Sequence, residues 1–462
     1  MVTVMKSKGA TFFTLLLSAL FLLAGCVQVD SDIVDQSHVF FDDSYVHEVN
    51  IYIEDDEWFN TLYENHRSAD DPYEAVMIDH EDYNFYPVGA RFKGSSSFSI
   101  NSNKKSFKID VNEFFENCNI YDKLPECEEL SFYGLKKMNF NNGFKDPSFL
   151  REKIFFDVAG KYFPTPRTVF VELYVNDEYM GLYTAVEQPD DVFVNMNYGE
   201  ELGSLFECER VGNGGNQGTF GSDLGYLGED ADLYRGYYAL KTQEDPEAWE
   251  SLIHFMDVLN NYEDDEFIEE IESIADTDQF LTMQALNNIF ANYDSYSGSA
   301  HNYYVYEDVN GIFHPIFWDG NEAFGSFSRN APSDQLRASP LFGDGVLEKR
   351  FFSIPQYKER YLEIVDQILE EDFNVENMNQ MITGYADLIR DSVYGDTQKQ
   401  YSDEAFESAL YGSDGPTTES SYLEGELMVQ GKNYTFRKRE STTSLLEFVK
   451  TRYESIHLFL NN

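Results

Sequence analysis

NYDSYSGSAHNYYVYEDVNGIFHPIFWDGNEAFG, residues 292–325, is the stretch from which the rest of the chain can be read. It follows a helical pattern, Thr277 to Asn292, in which Phe280, Met283, Leu286 and Ile289/Phe290 recur at three-to-four spacing behind a cap at Asp276 or Thr277. A small-residue polar segment then carries Asp294, His301 and Asn302. Tyr303 to Tyr306 reads as a strand, Asp308-Val309-Asn310-Gly311 as a turn, and Ile312 to Trp318 as a return strand ending on Asp319. A hairpin that goes out and comes back delivers Asp319 beside the loop that holds Asp294 and Asn302. Carboxylates and an amide oxygen gathered in this way suit a hard cation such as Mg²⁺, which takes one or two carboxylates together with phosphate oxygens and water.

Phosphoryl transfer needs that cation and a carboxylate to receive the proton of the attacking hydroxyl. A protein kinase orders the parts as catalytic-loop Asp, Asn a few residues on, hairpin, metal-binding Asp. The order here is the same, with wider spacings and no His-Arg-Asp. The segment resembles the CotH kinase family, spore-coat-type atypical kinases. The resemblance rests on the pattern N-x-D-S-x-x-x-x-x-H-N-Y-Y-x-Y, filled by Asn292, Asp294, Ser295, His301, Asn302, Tyr303, Tyr304 and Tyr306. It also rests on W-D-x-[DN]-x-x-F-G, filled by Trp318, Asp319, Asn321, Phe324 and Gly325. Upstream, Val88 to Ser96 (VGARFKGSS), Lys104 to Lys108 (KKSFK), Leu150-Arg151-Glu152, Leu173 to Tyr183 and Glu187 resemble further family segments in the same order. The likeness covers roughly residues 45–375.

The resemblance implies Asp294 as catalytic base, and Asn302 and Asp319 as ligands of Mg²⁺ or Mn²⁺ with ATP as donor. It offers Arg91, Lys93 and Lys108 as phosphate contacts, or else as a solvated sheet face. Glu187 and Trp318 fall on its nucleotide side, although Trp318 also reads as core. His301 reads as a prop for the loop or as a proton shuttle. One position departs from the pattern: where the family carries Gly-Asn-Leu-Tyr-Lys, this chain has Gly203-Ser204-Leu205-Phe206-Glu207.

At the N-terminus, Lys6 and Lys8 precede the apolar run Phe12 to Leu23, which is too short to span a bilayer and has signal-peptide length. It closes on Leu23-Ala24-Gly25-Cys26, a bacterial lipobox, so residues 1–25 read as a lipoprotein signal and Cys26 as the acylated residue. More than one acyl chain would give stable anchoring in a membrane. Val27 after the Cys would favour the outer membrane or surface of a Gram-negative envelope. Cys118 and Cys127 form a possible disulfide in an oxidising compartment.

The net charge of −50 repels phosphate backbones and argues against nucleic acid. Such a surface suits a saline habitat, or alternatively a basic, Ser-rich protein substrate. With 16% aromatics a substantial core is expected. The expected fold is α+β, two-lobed and kinase-like. Residues 26–45 form an acidic tether, 46–190 a lobe built on a small antiparallel sheet, and 191–462 a mostly helical lobe carrying 292–325. Two other functions compete: a non-catalytic, pseudokinase-like envelope assembly protein, and a carbohydrate-active enzyme using paired carboxylates.

Overall fold

Alternating apolar residues build the first strands. β1 (His47–Tyr52) buries His47, Val49 and Ile51, and β2 (Glu74–His80) buries Val76, Ile78 and His80. β3 (Tyr83–Lys93) and β4 (Ser106–Asp110) follow, then β5 (Lys137–Asn141), β6 (Thr168–Val175) and β7 (Glu178–Glu187). The computed structural model describes residues 35–81, 83–114, 131–199, 203–209, 222–243, 245–327, 339–412, 421–429, 432–440 and 443–461. Cys26, Cys118 and Cys127 lie outside these. Among the described residues no helix is long and apolar enough to cross a membrane.

The seven strands close into a barrel in the order β1-β2-β3-β4-β5-β7-β6. This differs from the small antiparallel sheet expected from local alternation. Closure depends on β1 pairing parallel with β6, from His47 opposite Val171 to Ile51 opposite Val175. A pairing across more than a hundred residues leaves no trace in either strand's own pattern. The period of two sorts the faces: Phe92, Phe107, Ile109 and Phe140 fill the interior, while Arg91, Lys93 and Lys108 point outward.

The chain falls into two compact units, one of residues 1–143, 168–188 and 388–400, the other of 144–167, 189–387 and 401–462. The helix Arg151–Ala159 therefore groups with the second unit. That unit also contains the four-stranded sheet β11-β10-β8-β9, made from β8 (Ser204–Cys208), β9 (Tyr238–Leu240), β10 (Tyr303–Glu307) and β11 (Phe313–Phe317). The helices Pro246–Asn261, Thr277–Ile289, Pro355–Glu371 and Leu445–Leu460 belong to it as well. The helix Thr277–Ile289 starts where its sequence predicts, with Asp276 accepting from the Gln279 amide at 3.0 Å, and Ser444 caps the last helix by accepting from the Glu447 amide at 3.2 Å.

A buried ion pair lies within the barrel unit. Lys104 Nζ donates to Asp396 Oδ2 at 2.5 Å and to the Leu182 carbonyl at 2.6 Å, with both charged side chains fully buried. Asp396 also accepts from the Leu182 amide at 3.1 Å. Gly181, at φ +115°, makes room for it, because a Cβ there would lie 2.4 Å from the Asp396 carboxylate. Removing one partner strands the other charge out of water. Asp396→Ala is expected to lower unfolding free energy by about 3–5 kcal/mol, read from denaturant unfolding, whereas exposed Asp56→Ala should change it little.

Candidate active site

The loop between the helix Thr277–Ile289 and β10 is tightly tied to itself. Ser295 Oγ donates to the Asn292 carbonyl at 2.5 Å, and Ser299 Oγ donates to the Tyr293 carbonyl at 3.2 Å and to Asp294 Oδ1 at 3.0 Å. Asn302 Nδ2 donates to the Asp294 carbonyl at 2.6 Å, which ties the two expected site residues together. Gly298 is required by contact, since a Cβ would sit 2.0 Å from the Tyr293 carbonyl oxygen. Ala291, Ala300, Asn302, Asp319 and Phe324 all hold φ between +45° and +60°. For non-glycine residues this costs about 1–2 kcal/mol each, and such outliers concentrate where function dictates backbone shape.

The return strand β11 pairs with β10 in the register Tyr303 opposite Phe317, so Asp319 emerges beside the start of the hairpin. The Phe324 amide donates to the Phe290 carbonyl at 2.7 Å, tying the segment after Asp319 to the end of the preceding helix. Phe290 packs edge-on against Phe155, Phe324 and Phe373, with ring centroids 5.3, 5.1 and 4.8 Å apart. The aromatic cluster thus fixes both ends of the polar loop.

Charge is concentrated above this cluster. Asp294 Oδ1 lies 3.2 Å from His301 Nε2, and His301 Nδ1 is 3.9 Å from Glu209 Oε2. Burial pushes the Asp294 carboxyl up, but His301, Ser299 and the nearby Lys145 charge hold it below its ordinary value. Burial alone would lower His301; the bond and charge of Asp294, with Glu209 behind, raise it instead. His301 is therefore an orienting, charge-balancing partner of Asp294. Glu209 is pushed up to about 7, chiefly by burial, against the pull of His301 and with further repulsion from Asp319, Glu207 and Asp294.

Three residues of this constellation were not singled out from sequence. Lys145 Nζ lies 2.5 Å from Glu322 Oε1, and Glu322 is raised by burial and by Asp294 and Asp319 while Lys145 draws it down. Lys145 is aimed by its neighbours: Arg151 donates to the Lys145 carbonyl at 2.9 Å and pairs with Asp146 at 3.2 Å. Glu209 is the third. A single sequence marks none of them, because their roles come only from proximity to Asp294 and Asp319.

The remaining expected residues have definite places. Trp318 packs on Tyr304 at 5.9 Å, against the small core of Phe193, Leu205, Tyr306 and Ile316. Glu207 accepts from Tyr304 Oη at 2.9 Å and pairs with Lys241 at 3.0 Å. In the barrel unit, Arg91 and Lys108 stand opposite one another across β3 and β4, with Arg91 paired to Asp71 and stacked on Tyr73 at 4.8 Å. Lys93 Nζ donates to Asn141 Oδ1 at 3.1 Å, and Glu187 is buried at the end of β7. The structure brings Asp294, Asn302 and Asp319 into one locality of the second unit; Arg91, Lys93, Lys108 and Glu187 belong to the first.

Residues 90–456 match the family described as CotH kinase protein, most of the chain. This protein belongs to the CotH kinase protein family. It is 25% identical over 313 residues to the inner spore coat protein H of Bacillus subtilis (strain 168), covering 65% of this chain and 82% of that relative. At the level of a family, CotH membership points to a kinase-like protein that uses a nucleotide and a divalent metal. Asp294, Asn302 and Asp319 offer oxygen ligands, the kind a hard divalent ion takes.

Two consequences can be measured. Phe290→Ala should lower stability by about 3–5 kcal/mol in thermal or denaturant unfolding, since it removes the ring that three others pack on. Glu348, buried under the loop in the helix Val346–Ser353, is pushed up to about 7 by burial against the pull of Ser297. Its folded value lies above its unfolded one, so the folded state keeps a proton that the unfolded state loses. Stability contributed by this group is therefore lost as pH rises from about 4.5 to 7. Glu348→Gln should match the parent at pH 4 and exceed it at pH 8 by up to about 3 kcal/mol in denaturant unfolding.

Proposed function

We propose that this protein is a Mg²⁺-ATP-dependent phosphotransferase of CotH type that phosphorylates Ser or Thr hydroxyls of an exported or surface protein. The observation that carries the reading is the Asp294 carboxylate, kept ionised by His301 and Ser299 and bonded through its own carbonyl to Asn302. Asp294 receives the hydrogen bond, and then the proton, of the substrate hydroxyl. His301 and Ser299 fix its orientation, and His301 offsets its charge. Asn302 and Asp319 would hold the metal, which neutralises charge on the phosphate oxygens. Lys145 adds a positive point charge to the same locality. Arg91, Lys93, Lys108, Glu187 and Trp318 are the proposed nucleotide contacts.

The acidic surface favours a basic, Ser-rich substrate by attraction. The Leu23-Ala24-Gly25-Cys26 lipobox supports export, acylation at Cys26 and a location on the cell envelope. A second reading, a non-catalytic surface assembly protein, is favoured by the name of the Bacillus relative, a spore coat protein, and by Glu207 at the position of the family Lys.

The test is transfer of the ATP γ-phosphate to a basic Ser-rich peptide by the purified full chain. Asp294→Ala and Asp319→Ala are each expected to lower the rate by at least about 100-fold. Asp294→Ala should retain the rise in melting temperature that Mg²⁺-ATP produces by mass action, and Asp319→Ala should lose it. Equal transfer by both variants and parent would overturn the reading. Absence of transfer and of any melting shift in the parent would establish the assembly protein instead.

A further inference from the structure

The barrel unit contains a second cluster of metal-binding chemistry that the phosphotransferase reading does not use. His47 opens β1 and His80 closes β2, and both imidazoles are buried beneath Phe40, whose ring centroid is 5.4 Å from each. His47 Nδ1 faces His80 Nε2 at 3.0 Å. Glu81 follows His80 at the exposed turn into β3, and one of its oxygens and one nitrogen of each ring lie within 4.8 Å of one another. Phe132, 5.8 Å from His80 between ring centroids, completes apolar surroundings in which a hydrocarbon side chain would pack at lower cost than two imidazoles.

The hydrogen bonds determine each tautomer from a single fixed point. His47 Nε2 lies 2.8 Å from the Asp42 carbonyl, which only accepts, so Nε2 carries the proton and Nδ1 has the lone pair. Without a metal, His80 Nε2–H donates to that lone pair, and Tyr133 Oη–H donates to His80 Nδ1 at 3.0 Å. The pair is neutral, and burial agrees, lowering both imidazoles and taking His80 to about 3. If the His80 proton moves from Nε2 to Nδ1 and the Tyr133 hydroxyl turns to accept it, two lone pairs converge on one point. No proton is lost from the pair.

We propose that His47 Nδ1, His80 Nε2 and the Glu81 carboxylate form a zinc-type site at the β1–β2 end of the barrel. Imidazole nitrogen with one carboxylate is a donor set for Zn²⁺, and not for the oxygen-seeking Mg²⁺ of the Asp294–Asp319 locality. Each ring has the second partner that metal-bound histidines use to fix their orientation, the Asp42 carbonyl for His47 and the Tyr133 hydroxyl for His80. Tyr45 Oη donates to Glu81 Oε1 at 2.8 Å and orients the third ligand. Bonds of about 2.0–2.1 Å in a tetrahedral centre separate ligand atoms by roughly 3.4 Å. The rings must open by a few tenths of an ångström, and the exposed Glu81 side chain must close on them.

The chelator-stripped full chain is titrated with Zn²⁺ against a chromophoric chelator, and in parallel with Co²⁺ while visible ligand-field absorption is recorded. The expected result is one strong equivalent with a tetrahedral-type Co²⁺ spectrum. Glu81→Gln, at an exposed position that leaves the fold intact, should weaken Zn²⁺ at least about 10-fold, and His80→Asn should abolish the Co²⁺ band. Asp319→Ala should retain that band, which separates this site from the phosphotransferase locality. A parent without the Co²⁺ band, or Zn²⁺ affinity unchanged in both Glu81→Gln and His80→Asn, would overturn the assignment.

Discussion

Mutual repulsion between carboxylates is the constraint around which the second unit is organised. Burial raises the proton affinity of Glu209 and Glu322, and the nearby Asp294 and Asp319 charges raise both further, in a chain whose net charge is already −50. Left alone they would separate or take up protons. Lys145 against Glu322 and His301 against Asp294 supply the positive charge that keeps Asp294 ionised. The side-chain oxygens of Asp294, Asn302 and Asp319 are of the kind a hard divalent cation accepts.

Holding that arrangement takes apolar packing beneath it. Phe290 ends the helix Thr277–Ile289, Phe317 ends β11, and Phe324 follows Asp319; Phe155 packs on the first two. These contacts place the beginning of the loop, the end of the hairpin and the segment after Asp319 on one platform. The left-handed residues of the loop are tolerated because this platform and the Ser295 and Ser299 bonds over-determine the backbone. The rigidity that fixes Asp294 is a property of packing, and the charge pattern is laid over it.

The barrel unit solves a different problem. Seven strands closed on themselves leave no edge open to pairing with other chains. Its buried charged and imidazole side chains include two partnered pairs, Lys104 with Asp396 and His47 with His80. On its outer face Arg91 and Lys108 are directly opposed across two strands, and their repulsion is eased by Asp71 and by the nearby Asp110 and Glu113.

The sequence by itself determined the local elements and marked the candidate site residues. The helical spacing before Asn292, the turn Asp308–Gly311 and the family-like patterns around Asp294, Asn302 and Asp319 are all short-range information, readable because helix, hairpin and loop form from neighbouring residues. The α+β class followed for the same reason. Barrel closure was decided only by tertiary structure, since a strand's alternation reports which face is buried and not which distant strand lies beside it. So were Lys145, Glu209 and Glu322: a charged side chain gains its role from the charges that surround it, and those come from segments far apart in the chain. His47 and His80 are the extreme case, ordinary residues in separate strands until the register of β1 and β2, with Val49 opposite His80, brings their imidazoles within 3.0 Å of one another.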